Sequence, residues 1–242
     1  MRLADLTSAD LTTPALLAIP LGATEQHGPH LPLGTDTAVA VELCHRLAAA
    51  RPDIVVAPAI PYGSSGEHAG FPGTLSIGHA ALELVILELV RSADEFAGVI
   101  LVNGHGGNLE PLRAACRRLT TEGRAPLLWS PTGPADDTHA GHTETSVMLT
   151  LHPDLVATDR AQPGNTQHLR DLMPQLRTGG VKAVSDNGIL GDPTTATAEN
   201  GTSILDRWTT ALLTAVTERF PGNHPSDEGP SKARPLTDRR DQ

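Results

Sequence analysis

The run Leu16-Leu-Ala-Ile-Pro-Leu21 continues through Gly22-Ala-Thr-Glu25-Gln-His27-Gly-Pro-His30-Leu-Pro-Leu-Gly-Thr-Asp36 into an apolar-periodic stretch from Thr37 to Ala50. A short, nearly continuous apolar run reads as a strand buried on both faces. The polar, Gly- and Pro-rich segment after it reads as a loop, and the periodic stretch as a helix. This unit recurs. Strand-like runs stand at Ile54–Ile60, Val99–Val102 and Pro126–Trp129, and helical patterns at His79–Phe96, Leu109–Glu122, Glu144–Leu151 and Ala196–Phe220. The alternation predicts an α/β fold with a mostly parallel sheet.

The polar loops are Gly22–Asp36, Pro61–Thr74, Asn103–Asn108 and Ser130–Glu144, each following one of the first four strands. Parallel sheets bind ligands at the carboxyl ends of their strands, so the chemistry should collect along one sheet edge.

The rest of the chain bounds the answer. Its 242 residues suffice for a core without staples. Aromatics are 2% of the chain, so Leu, Val, Ile and Ala must build that core. The net charge of −10 disfavours a nucleic-acid partner. Cys44 and Cys116 sit in apolar, helix-like segments and read as structural thiols in a reducing compartment. The N-terminus lacks a signal pattern, and no apolar run is long enough to span a bilayer, so a cytoplasmic protein without a membrane partner is expected. Residues 1–220 read as one domain. The Asp159–Gly191 stretch is irregular enough to be a lid, a substrate-binding segment or a subunit contact. The Pro-, Gly- and charge-rich tail, 221–242, is expected to be flexible.

Within the loops, Glu25 and His27 stand two apart, and an extended chain would point both to one side. A carboxylate and an imidazole so placed make a plausible pair of metal ligands. Asp36 by itself reads equally well as a first-turn carboxylate favoured by the helix dipole. His105 lies in Asn103-Gly-His105-Gly-Gly-Asn108, between strand and helix. There glycines allow close backbone approach, and Gly106, Gly107 and Asn108 offer amides to a substrate or a developing oxyanion. The loop lacks the Walker lysine and the third dinucleotide-binding glycine. The fourth loop carries His139, His142 and Glu144. One of the histidines suits acid/base work, and Glu144 or His142 could complete a metal site. Glu67 and His68, in Gly66-Glu67-His68-Ala-Gly-Phe71-Pro-Gly-Thr74, suit contact with substrate or a neighbouring subunit. No nucleophile elbow and no H-E-x-x-H pattern occurs.

The donor set is then Glu25, His27, Asp36, His105 and Glu144: oxygen and nitrogen without thiolate, suited to Zn, Mn or Fe. Three carboxylates and a hydroxide balance two divalent cations, whereas one cation would leave negative charge buried. Two such ions can activate water and polarise a carbonyl.

At these residues the sequence resembles the creatininase family. The shared motifs are E-Q-H-G-P-H-L-P-L-x-T-D at Glu25–Asp36, E-H-x-G-F-P-G-T at Glu67–Thr74 and N-G-H-G-G-N at Asn103–Asn108. H-A-G-x-x-E-T-S at His139–Ser146 and G-D-P-x-x-A-T-A-E-x-G at Gly191–Gly201 complete them. The resemblance implies a three-layer α/β/α fold, a two-metal site with Asp36 bridging, hydrolysis of carbon–nitrogen bonds, and assembly as a homo-oligomer, hexameric in some members. It also implies a proton-transfer role for His139. One position departs. Creatinine-cleaving members carry an acidic ligand two residues after the histidine matching His105, and here that residue is Gly107.

Within the family, Gly66–Gly78, Arg160–Thr166 and Gly179–Ser185 resemble the mycofactocin-system peptidases. That implies release of a modified C-terminal Val-Tyr dipeptide from a ribosomally made precursor peptide. A small-amide hydrolase (creatinine-type or a formamide deformylase) and a non-catalytic metal-binding protein are the competing expectations.

Overall fold

The computed structural model of the chain describes residues 1–11 and 15–221. Four strands form one parallel sheet: β1 (Leu16–Leu21), β2 (Ile54–Val56), β3 (Gly98–Asn103) and β4 (Leu127–Trp129), in the order β2-β1-β3-β4. β1 pairs with β3 along its whole length, from Leu16 opposite Gly98 to Leu21 opposite Asn103. Among the described residues six α-helices accompany them: α1 (Thr35–Ala50), α2 (Gly78–Arg91), α3 (Leu109–Thr121), α4 (His142–Leu151), α5 (Leu169–Gly179) and α6 (Ala198–Arg219).

Side-chain alternation along the strands splits the core into two layers. Leu16 and Ala18 of β1, with Ile100 and Val102 of β3, pack against Val39, Leu43 and Leu47 of α1 and Leu205, Trp208 and Leu212 of α6. Leu17, Ile19 and Leu21, with Val99 and Leu101, face Leu82, Ile86 and Val90 of α2 and Leu112, Ala115 and Leu119 of α3. The result is the expected α/β/α sandwich.

This topology places the site. β1 runs into α1 on one face of the sheet, whereas neighbouring β3 runs into α3 on the other. The two connections diverge beyond the strand ends and leave a crevice between them. Gly104 lets that crevice be tight, since a Cβ there would collide with the Asp36 carbonyl at the head of α1.

Several boundaries differ from the sequence reading. β2 stops at Val56 rather than Ile60, because Pro58 has no N–H for the ladder; Ile60 rejoins β1 through a single parallel bridge to Leu21. α2 ends at Arg91 rather than Phe96, where the Ser92 hydroxyl turns back to donate to the Leu89 carbonyl. α1 and α4 each begin two residues earlier than expected, at Thr35 and His142. The irregular middle stretch contains a helix, α5, whose first turn is held by the Arg170 amide donating to His168 Nδ1. It buries little beyond Leu172, which is why its apolar signal is faint. Among the described residues no helix is long and apolar enough to cross a membrane. Beyond Pro221 the expected flexible tail lies outside the described residues.

Candidate metal centre

Glu25 leaves β1 on a loop pinned at both edges. Its amide donates to the Leu33 carbonyl at 3.0 Å, and the Leu75 amide donates to the preceding Thr24 carbonyl at 2.8 Å. Glu25 and His27 both point inward and are fully buried. Asp36 comes from the first turn of α1 but does not cap it: that helix has no side-chain cap, and the Asp36 carboxylate turns into the crevice. Its Oδ1 lies 3.1 Å from His27 Nε2, and its Oδ2 lies 3.3 Å from His105 Nδ1. His105 Nδ1 also faces Glu25 Oε1 at 3.1 Å. Asp36 thus stands between two histidines from different loops.

Glu144 arrives from α4, with Oε2 3.9 Å from His27 Nε2. The Ala140 amide donates to the same oxygen at 2.6 Å. Ala140 is the one non-glycine residue with positive φ among the described residues, at 52°. Such a conformation is strained, and here it aims an amide at the site. The capping of α4 falls to Asp137, whose carboxylate accepts from the amides of His142 and Thr143 at 2.7 and 2.8 Å. His142 turns away to Thr195 Oγ1 and Asn200 Nδ2, so of the two candidates Glu144 is the one brought to the cluster.

The five candidate ligands fall into two groups with one shared member. Glu25, Asp36 and His105 each offer a donor atom within 4.8 Å of the others, and so do His27, Asp36 and Glu144. A third such group, Glu25, His27 and His139, overlaps them. Both Glu25 oxygens and Asp36 Oδ2 are buried without a hydrogen-bond partner. Buried carboxylate oxygens left so are costly. Hard divalent cations satisfy this arrangement, so the residues fit a metal pair.

The electrostatics agree. Burial by itself would discharge His27, but Asp36, Glu144 and Glu25 raise its pKa to about 10. Burial likewise opposes charge on His105, yet Asp36 and Glu25 push its pKa well above the usual value. Burial would favour a protonated Asp36, and His27 and His105 instead hold its carboxyl far below the usual range. Burial raises Glu144 to about 7 against the pull of His27. The pocket gathers positive charge around its carboxylates, as a cation would.

His139 packs beside His27, ring centroids 4.4 Å apart, with Nε2 2.8 Å from the Gln26 carbonyl. Donation there leaves Nδ1 with its lone pair toward Glu25. Burial first, then His27 and His68, hold the His139 pKa well below 6.5. His68 is buried, its Nδ1 accepting from Gln26 Nε2 at 2.9 Å and its Nε2 3.3 Å from Glu25 Oε1. Glu67 is part-exposed, with Oε1 3.3 Å from His105 Nε2. His30 sits behind the cluster on Thr145 Oγ1, and burial lowers its pKa to about 4. Gly106 is exposed and Gly107 partly so. Asn108 is fully buried, its amide tying the Ser64 amide, the Gly22 carbonyl and Asn103 together. That accounts for the Asn108 side chain as a brace of three loops rather than a free contact.

Sequence reasoning passed over Gln26 and Asp137. Gln26 stands between two candidate ligands, so its position was a signal. Its side-chain amide reaches His68, His139 and the Gly188 carbonyl, and its Oε1 accepts from the Gly28 amide. Asp137 was hidden by its neighbour Asp136, with nothing in the spacing to choose between them.

The family model described as creatinine amidohydrolase matches residues 1–216. The mycofactocin precursor peptide peptidase of Mycolicibacterium smegmatis is 55% identical over 197 residues, covering 78% of this chain and 79% of that one. Its Mycobacterium ulcerans namesake is 50% identical over 228 residues, covering 89% and 90%. Among solved structures, a manganese creatininase is 28% identical with a TM-score of 0.76, covering 91% of this chain and 99% of its own. A creatininase mutant of Zn–Zn type is 27% identical with a TM-score of 0.74, covering 91% and 98%.

Proposed function

The chain belongs to the creatininase family, and from that premise we propose that it is a dinuclear-metal peptidase that releases the modified C-terminal Val-Tyr dipeptide from the mycofactocin precursor peptide. The observation that carries the reading is Asp36, whose two oxygens address His27 and His105 separately and so link two ligand groups. The peptide substrate rests on the relatives of 50–55% identity that bear that name.

Glu25, Asp36 and His105 would hold one divalent cation, and His27, Asp36 and Glu144 the other. Zinc suits this donor set best, and iron and manganese are tolerated. Bound there, the cations supply Lewis-acid polarisation of the scissile carbonyl and draw the pKa of a water toward neutrality.

The chain's own residues do the rest. His139 donates an Nε2–H hydrogen bond to the Gln26 carbonyl, which leaves Nδ1 free to take a proton from the attacking water and pass it to the departing amine. Gly106 and Gly107 open the turn leading into α3, where the first amides have no partner within the turn. Those amides are the donors we assign to the developing oxyanion. The buried walls exclude bulk water. Glu67 lines the opening and His68 buttresses Glu25 behind it.

Residues 1–220 act as one metallohydrolase unit in this reading. The exposed Leu33, Tyr62, Leu75 and Ile77, on loops flanking the site, support a homo-oligomer, hexameric as in some members of the family. The apolar, buried Cys44 fits a cytoplasmic setting.

The test is mass spectrometry of the cross-linked precursor peptide after incubation with metal-loaded protein. Metal-dependent loss of the C-terminal dipeptide is expected. An intact peptide, with two metals bound per chain, would sink the peptidase reading and point to a small amide.

A further inference from the structure

The imidazole of His105 is gripped on both of its nitrogens. Nδ1 faces Glu25 and Asp36, as described above. Nε2 lies 3.1 Å from the Ser64 carbonyl and 3.3 Å from Glu67 Oε1. A carbonyl can only accept, so Nε2 carries a proton, and Nδ1 is the nitrogen able to present a lone pair to a cation.

Glu67 reaches this position through backbone that has made room for it. It rides on the short 3-10 turn Gly66–His68, which follows a strand of loop held by the Ser65 amide donating to Ser76 Oγ at 2.9 Å. Gly180, at φ +68°, lies so close to the Glu67 carbonyl that a side chain there would strike it. Gly107 does the same on the site side: a Cβ at that position would run into Glu67 Oε1, His105 Nε2 and the Ser64 carbonyl together. The space a side chain at 107 would take is the space the Glu67 carboxylate uses.

We propose that Glu67 is a positioning residue for His105. Its carboxylate shares the Nε2 proton with the Ser64 carbonyl, fixes the ring so that Nδ1 faces the metal pair, and strengthens that nitrogen as a donor. Gly107 is the residue that admits it. This rests on the dinuclear-metal reading above. Carboxylates behind a metal-bound histidine are worth about 10–100-fold in affinity or activity. Part of the Glu67 side chain is open to water, which screens its charge and puts the expected effect at the lower end of that range.

The experiment measures zinc affinity of the metal-free full-length chain by competition with a chromophoric chelator, for the wild type, Glu67→Ala and Glu67→Gln. The imidazole N–H resonance of His105 is followed in each zinc-loaded protein by nitrogen-15 NMR. Glu67→Ala should weaken zinc binding about 10-fold and shift the His105 Nε2–H signal upfield. Glu67→Gln, whose side-chain oxygen still accepts, should recover most of both. Unchanged affinity in Glu67→Ala with the His105 signal unmoved would overturn the proposal. So would a weakened Glu67→Ala whose His105 signal is unmoved and whose defect glutamine does not rescue. A wild-type chain that binds no zinc would instead overturn the dinuclear-metal reading.

Discussion

Asp137 takes the amides of His142 and Thr143 at the head of α4, and so leaves the Glu144 carboxylate free to face His27 at 3.9 Å. Two acidic residues near one helix start have divided capping and site duty between them. The division can be measured. Asp137→Ala should cost about 1 kcal/mol of stability, a fall of about 2–4 °C in Tm for a chain of this size. Glu144→Gln keeps an acceptor for the Ala140 amide and should leave the Tm of the metal-free protein nearly unchanged, while lowering bound metal from two ions to one. Thermal unfolding and elemental analysis after dialysis separate the two outcomes.

Asp36 should behave unlike any other ligand. It belongs to both groups, so Asp36→Ala should lose both ions, whereas His105→Ala should retain one. Metal content per chain by mass spectrometry decides this. An Asp36→Ala protein that still holds two ions would remove the bridging role.

Metal uptake should release protons. In the metal-free protein His27 is held charged, with a pKa of about 10, and Glu144 is half-protonated near pH 7. A cation must displace those protons, so zinc affinity should fall as pH drops below about 10, where His27 charges, and more steeply below about 7, where Glu144 is also protonated. The raised His27 pKa also stabilises the metal-free fold fully below about 6.5, its usual value, and that contribution fades as pH rises through about 10. Calorimetric titration of zinc at pH 7 in two buffers of different ionisation enthalpy measures the protons released. Equal heats in both buffers would contradict the prediction.

His139→Ala should keep both metals and lose turnover by about 100-fold or more, the usual size of a proton-transfer contribution. The readout pairs metal content with peptide cleavage. A variant that loses metal in parallel would make His139 a ligand, in keeping with its place beside Glu25 and His27.

Cys44 is fully buried, and that burial raises its thiol pKa far above the usual value. It should resist iodoacetamide in the folded protein at pH 8 and react once the chain is unfolded. Cys44→Ala should lower stability by about 1 kcal/mol and leave metal content and cleavage intact.

The strand–loop–helix alternation was legible because Leu, Val and Ile runs mark buried strands and glycines mark their ends. The loops that carry the candidate ligands followed from that layout. What could not be read was the choice between His142 and Glu144. It depends on where α4 starts, which Asp137 sets, and on Ala140 holding a positive φ, which no residue type announces. α5 escaped for a different reason: Leu172 is its one buried anchor, and Pro174 within it reads as a breaker. Gln26 shows a third limit. A glutamine between two candidate ligands looks like a spacer until its amide is seen to contact two histidines from other loops.

The crevice between β1 and β3 has a consequence for how the chain matures. Its donors come from loops after the first, third and fourth strands, so none of the groups exists until distant parts of the chain have paired. Such non-local assembly is slow. On the dinuclear-metal reading, metal capture would be a late event that only correctly registered chains complete. Because a cation binds the finished fold and not the open chain, each tenfold rise in free metal above its dissociation constant adds about 1.4 kcal/mol against unfolding. On the dinuclear-metal reading, metal supply would set the stability of the folded chain as well as its activity.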